Sequence, residues 1–344
     1  IGYGGLGANT AASNTAVGKN AMAANTTGAN NVAVGLNALD TNTTGTGLIA
    51  IGADALGTST GSYHTAVGYQ AGLDVTTGVQ GTYVGYQAGY NLTTGNNNVA
   101  VGYGALANCS TGTPNTAVGT SALSNCNGGE NEAFGTSALL SVSTGSYNVG
   151  IGSGAGYYVS TGSYNTSLGR ACNQVTTTGS FNICIGPSAK TSGAGGSSET
   201  AIGYNVTGNG GSTFVFGSGT TDTSCAFGGT TWSNPSDERI KEEIEDEVVG
   251  LSFINDLRPR TFRYRQEKDI PEELDAHVAG SEKRYKTDKY EHGFIAQEVK
   301  EAIDKHSSLK DGFDMWKEDP ADGRQRIGET AVIPMLIKAI QELS

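Results

Sequence analysis

A hydrophobic residue followed by glycine returns along this chain at Gly2, Gly18, Gly35, Gly52, Gly68, Gly85, Gly102, Gly119, Gly135, Gly152, Gly169, Gly186 and Gly203. Every interval is 16 or 17 residues. A period this strict is the signature of stacked coils, each one supersecondary unit that buries its apolar face only against its neighbours. The residue before each glycine is Val, Ile, Leu or Phe, and two positions further back stand Thr15, Val32, Ile49, Thr65, Thr82, Val99, Thr116, Val149, Thr166, Ile183 and Thr200, with Glu132 as the exception. Between the two lies a mostly small residue, most often alanine (Ala16, Ala33, Ala50, Ala66, Ala100, Ala117). This is a period-2 strand with a branched face and a small face. The branched face is expected to fill the coil, and the alanine face to meet a neighbouring surface.

A second glycine in each repeat (Gly28, Gly45, Gly78, Gly95, Gly112, Gly145, Gly162, Gly179) is expected to supply the turn. One position before the branched residue, Asn14, Asn31, Asn98, Asn115, Asn131, Asn148, Asn165 and Asn182 are expected to stack as an amide ladder, in which His64 takes an asparagine's place as a polar substitute. At roughly 4.8 Å per coil, thirteen coils make a rod of about 60 Å. One thin coil buries little, so several chains around a common axis are expected. The exposed tyrosines, Tyr69, Tyr86, Tyr103, Tyr147 and Tyr164 among them, read as decoration of the rod rather than as a sugar platform. Glu130 and Glu132 lack the supporting groups that a glycosidase pair needs.

The motif Asn-Thr-Ala-Val-Gly at residues 14–18 and 115–119 resembles the head repeats of YadA-type trimeric adhesins, and more closely the repeats of phage tail fibres. The resemblance implies a trimeric β-solenoid or β-roll.

Composition changes abruptly at residue 236. Residues 1–235 hold 3 Lys/Arg and 7 Asp/Glu, whereas residues 236–344 hold 18 and 26, and 46 of the 52 glycines precede Ser236. Such a change marks a domain boundary, and the chain divides into a repeat region (1–203), a β connector (204–235) and a charged domain (236–344). In the connector, Phe214, Phe216, Phe227 and Trp232 are expected to plug the end of the solenoid, whose last coil offers an open edge. The net charge of −12 argues against nucleic acid and anionic membrane as partners, and no apolar run approaches the roughly 18–20 residues of a membrane span. Five cysteines without C-x-x-C spacing indicate neither a disulfide framework nor a zinc site; they read as small buried residues of a chain assembled in a reducing cytoplasm. No cofactor or metal is implied. The chain enters in phase with its repeat at Ile1, as a fragment would.

In the charged domain, Ser236 is expected to cap a helix running through Ile244, Val248, Leu251, Ile254 and Leu257. Residues 258–265 alternate as a strand, 266–289 read as a charged mobile loop, and Gly293–Ile303 as a strand end entering a helix. Ile333, Leu336, Ile337, Ile340 and Leu343 form one stripe suited to a helix bundle on a trimer axis.

Ser236-Asp237…Lys241, Leu257-Arg-Pro…Phe262, Gly293-Phe-Ile-Ala-Gln-Glu298 and Ile337-Lys-Ala-Ile-Gln-Glu342 resemble the C-terminal intramolecular chaperone auto-processing domain that ends phage endosialidases, tailspikes and tail fibres and occurs in myelin regulatory factor. The resemblance implies a domain that trimerises, templates folding of the upstream β-structure and cuts itself off. By the motif, Ser236 maps to the nucleophile and Lys241 to its partner, with the cut between Pro235 and Ser236.

A serine hydroxyl needs a base, and a lysine serves only when deprotonated. Asp237, Glu238, Glu242 and Glu243 favour the charged lysine, and Arg239 alone opposes them. Burial on folding or between subunits is therefore expected to activate Lys241. The expected protein is a mainly β homotrimer, a solenoid of about 17-residue coils followed by a small α/β to helical chaperone domain. It would be a virion tail fibre segment, assembled in the host cytoplasm and exposed outside when mature. A glycan or protein receptor on the host would be its partner, and a serine–lysine autoproteolysis its one reaction. The competing reading is an uncut trimeric adhesin whose last domain is a permanent clamp.

Overall fold

Each repeat contributes one short strand, and the strands stack in parallel and in register. The computed structural model describes residues 2–7, 9–219, 221–229, 232–233, 236–309, 313–319 and 323–344. The strands are β1 (Thr15–Val17), β2 (Val32–Val34), β3 (Ile49–Ile51), β4 (Thr65–Val67), β5 (Thr82–Val84), β6 (Val99–Val101), β7 (Asn115–Val118), β8 (Asn131–Phe134), β9 (Val149–Ile151), β10 (Thr166–Leu168), β11 (Ile183–Ile185), β12 (Glu199–Tyr204) and β13 (Thr213–Ser218). Each pairs with the next, Thr15 with Val32, Ala16 with Ala33 and so onward, in one continuous ladder. The expected β-solenoid of about 17-residue coils is the architecture found.

The two strand faces are opposite to expectation. The central alanines Ala33, Ala50, Ala66, Ala100 and Ala117 are fully buried, while the branched residues on either side stand half-exposed, Ile51 at 40% and Ile183 at 42%. The reason is volume. Six coils also turn a large residue inward, Met22, Leu39, Leu56, Leu106, Leu123 and Leu139, all fully buried. The strand centre faces that side chain across a thin coil. At Gly150, where alanine is missing, a Cβ would meet Leu139 Cγ at 2.7 Å. A valine does not fit beside such a leucine; alanine fits in most coils, and beside Leu139 at residue 150 only glycine does.

The turns also differ. The second glycines do not supply them: left-handed backbone falls instead on Asn30, Tyr63, Gln80, Asn97, Tyr147 and Tyr164. Gly78 is needed because a Cβ there would lie 2.5 Å from the Gly95 carbonyl oxygen of the next coil. At the strand-end Gly68 both constraints coincide, with φ +140° and a Cβ 2.3 Å from the Gly85 oxygen.

The asparagine ladder ties side chains to backbone as much as to each other. Asn148 Nδ2 donates to the Gly162 carbonyl at 2.9 Å and to Asn131 Oδ1 at 3.1 Å, and its Oδ1 accepts the Asn165 N–H at 3.0 Å. Glu199 ends the ladder. Its N–H donates to Asn182 Oδ1, and its fully buried carboxylate accepts from Ser192 N–H at 2.8 Å and Ser192 Oγ at 2.6 Å.

Parallel stacking continues one coil past Gly203, into β13, and β14 (Thr221–Ala226) then folds back antiparallel on β13. This hairpin, rather than an aromatic plug, covers the last parallel edge. Phe214, Phe216 and Trp232 cluster on one another with ring centroids 5.4–5.9 Å apart, but Phe216, Phe227 and Trp232 remain exposed.

The chain divides into two compact units, Ile1–Ser236 and Asp237–Ser344. In the second, the expected long first helix is absent. Asp237, not Ser236, caps a single 3-10 turn at Glu238–Ile240, and helix α1 spans only Leu251–Asp256. A helix through 242–247 would set Glu242 against Asp246 and Glu243 against Glu247, like charges four apart, and Gly250 weakens it further. Strand β15 (Arg260–Phe262) pairs antiparallel with β16 (Glu291–Gly293), and β17 (Trp316–Glu318) with β18 (Gln325–Ile327). Between β15 and β16 the charged segment carries a 3-10 turn at Glu267–Asp269 and a bridge from Gln266 to Arg284. Helix α2 (Ala296–Lys305) turns Val299 and Ala302 inward and carries Glu298 in its first turn, where the helix dipole favours it. Helix α3 (Ile333–Leu343) opens with Pro334, whose missing N–H costs nothing in a first turn. Val249, Phe253, Val299, Ala302, Met315, Val332 and Met335 make the core, and the Phe253 ring packs edge-on against His306 and Phe313.

Candidate functional site

Ser236 closes the first compact unit and Lys241 lies five residues into the second. Both are exposed. Pro235, the residue on the other side of the expected cut, lies outside the described residues. The intervening turn is held by Asp237, whose Oδ1 accepts from Arg239 N–H and Nε, each at 2.9 Å, while its Oδ2 accepts from Arg239 Nη2 at 2.5 Å. The Arg239 guanidinium holds the Asp237 carboxyl below the usual carboxylate range. Arg239, the one nearby cation expected to oppose the charge on Lys241, is thus engaged with Asp237. Lys241 follows the turn in extended conformation, φ −119° and ψ 147°, its N–H donating to the Glu238 carbonyl at 3.0 Å. A single chain supplies the sequence order of a serine–lysine pair without the burial that a neutral lysine needs.

The other motifs converge in space. Arg260 of the Leu257–Phe262 motif makes a bidentate pair with Glu298 of the Gly293–Glu298 motif, Nε to Oε2 at 2.9 Å and Nη2 to Oε1. Each residue favours the ionised form of the other, lowering the Glu298 carboxyl and raising the Arg260 guanidinium. Glu342 of the last motif accepts the N–H of Leu251 at 2.8 Å, capping α1, which has no side-chain cap of its own at Gly250. Asp256 at the end of α1 accepts from His306 Nε2 at 2.9 Å; His306 first, with Lys305 assisting, holds the Asp256 carboxyl low. The motif residues named here beyond the dyad are therefore joints of the domain.

Two features were not legible as sites. A cleft of about 960 Å³ opens between β16 and β18, lined among others by Phe262, His292, Phe294, Arg326 and Ile327. Its residues come from three separated segments, each of which reads locally as strand or loop. On α3, Met335 and Ala339 face the core, whereas Ile333, Leu336, Ile337, Ile340 and Leu343 are 41–71% exposed. The stripe and its expected place at a trimer axis were legible, and in the single chain it is exposed.

On the rod, Tyr69, Tyr86 and Tyr103 stack with centroids 5.3 and 5.1 Å apart, and Tyr147, Tyr164 and Phe181 with centroids 4.6 and 5.0 Å apart. Their ring faces meet one another. Glu132 stands on the outward strand face, where partial burial and then Glu130 push its carboxyl up. Among the described residues no group of His, Cys, Asp and Glu is placed to hold a metal ion, and no helix is long and apolar enough to cross a membrane.

No curated protein and no solved structure matched the chain. One family model did, over residues that begin at Ser236 and end within the turn after α2, so three of the four motifs lie inside the match and the α3 motif lies beyond it. The C-terminal region thus carries, over residues 236–308, a match to the peptidase family described as the chaperone of endosialidase, which supports a chaperone role in fibre folding and implies self-cleaving peptidase activity.

Proposed function

We propose that this chain is a segment of a trimeric viral fibre whose C-terminal domain drives assembly of the solenoid and then releases itself by one cut between Pro235 and Ser236. The observation that carries the reading is the coincidence at residue 236, where the family match begins and the first compact unit ends. In the reaction, Ser236 Oγ attacks the Pro235 carbonyl carbon and Lys241 takes the hydroxyl proton. Lys241 returns that proton to the Ser236 nitrogen, which leaves as the new amino terminus, and water hydrolyses the ester to free the Pro235 carboxylate.

Two exposed apolar surfaces support trimerisation. One is the α3 stripe. The other is the branched face of the solenoid, where Ile49, Ile51, Ile151 and Ile183 stand about 40% exposed along one side of the rod. Contiguous apolar strips of this kind mark protein–protein interfaces. Assembly would also bury Lys241, the condition for its activation.

Mass analysis of the expressed, boiled chain tests the proposal. The expected result is two fragments divided before Ser236, and a single uncut chain for both Ser236→Ala and Lys241→Ala. If either variant still yields the wild-type C-terminal fragment, the pair is misassigned. One full-length band from the wild type would instead make the last domain a permanent clamp.

A further inference from the structure

Three positions after the inward methionine and leucines, the solenoid carries a second buried column, with Asn25, Asn42, Ser59, Cys109, Cys126 and Val142 among its fully buried members. In-register stacking sets equivalent members of the column against each other. Asn42 Nδ2 donates to Asn25 Oδ1 at 2.9 Å, across 17 residues of sequence. Cys109 and Cys126 are the same pair of positions further along the rod. Their coils are tied on either side, the Leu106 N–H to the Ala122 carbonyl at 3.0 Å and the Asn108 N–H to the Ser124 carbonyl at 2.7 Å. Cys109 Sγ lies 3.5 Å from the Leu123 carbonyl oxygen of the next coil, and its thiol hydrogen-bonds the Cys126 thiol. Equivalent positions of stacked coils are about 4.8 Å apart, inside the roughly 4.4–6.8 Å between Cα atoms that a disulfide spans. Bringing the two Cβ atoms within the roughly 4.5 Å that the bond allows asks for a movement of about 0.3 Å.

The two sulfurs are not equivalent. Cys126 accepts the hydrogen bond of Cys109 and another from Asn131 Nδ2 at 3.4 Å, and these favour its thiolate against the effect of burial. Burial, and then the bond it gives to Cys126, push the Cys109 thiol up. Cys126 is thus the nucleophile of the pair and Cys109 the resolving thiol. A second pair lacks this bias. Cys172 Sγ lies 3.0 Å from the Cys184 carbonyl oxygen, and the Cys184 thiol is pushed up by Cys172, by burial and by the charge of Glu199. Thiols buried in a coil are closed to bulky reagents, so the oxidant that suits them is water-sized, a peroxide.

We propose that Cys109 and Cys126 are an oxidation site, which hydrogen peroxide converts into a disulfide between neighbouring coils of the rod. Cys126 Sγ attacks one peroxide oxygen and the O–O bond breaks. The leaving hydroxide takes the Cys126 proton as water, and the sulfur becomes a sulfenic acid. Cys109 Sγ then attacks Cys126 Sγ; the S–S bond forms, the S–O bond breaks, and the hydroxyl leaves with the Cys109 proton as a second water. Two thiols are oxidised and one peroxide is reduced. The bond joins the turns that follow β6 and β7, near the middle of the rod. Each coil of a solenoid is held only by its neighbours, so opening that spreads from either end stops at the staple. Neither the trimer nor the cut is needed for it.

The test treats the native full-length chain with hydrogen peroxide, then denatures it in an alkylating agent and digests it with trypsin. Lys19, Arg170 and Lys190 are the only Lys or Arg before residue 236, so Cys109 and Cys126 fall in peptide 20–170, and Cys172 and Cys184 in peptide 171–190. After peroxide, peptide 20–170 is expected to take up no alkyl group, and two when a reductant precedes alkylation. Peptide 171–190 should take up two in both samples. Cys109→Ser should strand Cys126 as a sulfenic acid, labelled by dimedone about tenfold more than Cys109 is in Cys126→Ser. Ser59 already fills this column, so serine fits there. The oxidised rod should unfold at higher denaturant than the untreated one, a shift that reductant removes. Two alkyl groups on peptide 20–170 after peroxide, oxidation of either cysteine that reductant does not reverse, links between chains through these cysteines, or equal oxidation of the second pair would overturn the inference. A disulfide that leaves the unfolding midpoint unchanged would overturn its role as a staple.

Discussion

Two substitutions inside the rod show how single residues are accommodated. Tyr83 takes the place of a strand alanine and is fully buried, and its hydroxyl has no hydrogen-bond partner among the described residues. Three glycines make room for it. A Cβ on Gly72 would meet Tyr83 Cδ2 at 2.8 Å, on Gly89 Cδ1 at 2.4 Å, and on Gly81 the hydroxyl oxygen at 2.0 Å. Gly72 and Gly89 occupy the inward leucine position and Gly81 the ladder position, so one large side chain replaces three smaller ones. Tyr83→Phe should therefore be neutral or stabilise by about 1 kcal/mol, because it removes an unpaired buried hydroxyl. Tyr83→Ala should cost about 3–5 kcal/mol through the cavity it leaves. Denaturant unfolding of the two variants checks both. His64 is the second case. Its Nε2 lies 2.7 Å from the Gly78 carbonyl and its Nδ1 accepts the Gly81 N–H at 2.9 Å, an arrangement that requires the neutral ring protonated on Nε2. Burial lowers its pKa from 6.5. Below that value the unfolded chain takes up a proton that the folded chain refuses, so stability falls as the pH drops from about 6.5 toward the folded pKa. Thermal melts from pH 7.5 to 5 should show this loss in wild type and a smaller one in His64→Asn, which restores the ladder residue without a titrating ring.

Among the elements, α3 divides most clearly between two roles. Met335 and Ala339 belong to the domain core, while Ile337 and Ile340, 53% and 66% exposed, belong to none in a single chain. Ile337→Asp with Ile340→Asp should leave the circular dichroism of the isolated chain unchanged and abolish the trimer. Met335→Ala should instead destabilise the domain by about 2–5 kcal/mol. Sedimentation and chemical denaturation separate the two effects; a trimer that survives the double aspartate variant would remove α3 from the interface. The helix lost between Lys241 and Gly250 is informative at the same scale. Five acidic residues in seven positions, Glu242–Val248, repel one another on a helix, and that stretch is neither helix nor strand.

For the whole molecule, the coils of the rod are near-equivalent, so a shift of one copy by one repeat alters few contacts and little in the rod itself sets register between chains. On the proposed function, a domain that aligned three chains at one end would supply that register. While attached it would be held near the rod at high effective concentration, and folding would remain reversible. Cutting would remove it and leave the rod behind its unfolding barrier. The cleaved rod should persist longer in hot detergent than the Ser236→Ala trimer at the same temperature and should not refold after full denaturation. Equal or longer persistence of the uncut variant would refute this account of why a cut exists.

The repeat period was enough to place one strand per coil and to stack the coils in parallel, because a unit of 16 or 17 residues ending in Gly has no other way to bury its apolar positions. Composition changes at residue 236, and helical spacing placed α2 and α3. The strand alternation also showed that two faces exist. It did not show which one is inside: period 2 carries no sign, and the sign was decided by the inward leucines, which leave room only for alanine. The match of Tyr83 to Gly72, Gly81 and Gly89 was invisible for the same reason, since those residues close on the ring only once the coils are folded and stacked. Near Ser236 the order of serine and lysine was readable, but the engagement of Arg239 by Asp237 was not, because both local charges look equally available in a string of residues. The cleft belongs wholly to the tertiary structure. It exists because Arg260 and Glu298 fasten β15 to the first turn of α2, while β17 and β18 pack against that helix, bringing two short sheets with open edges to one space.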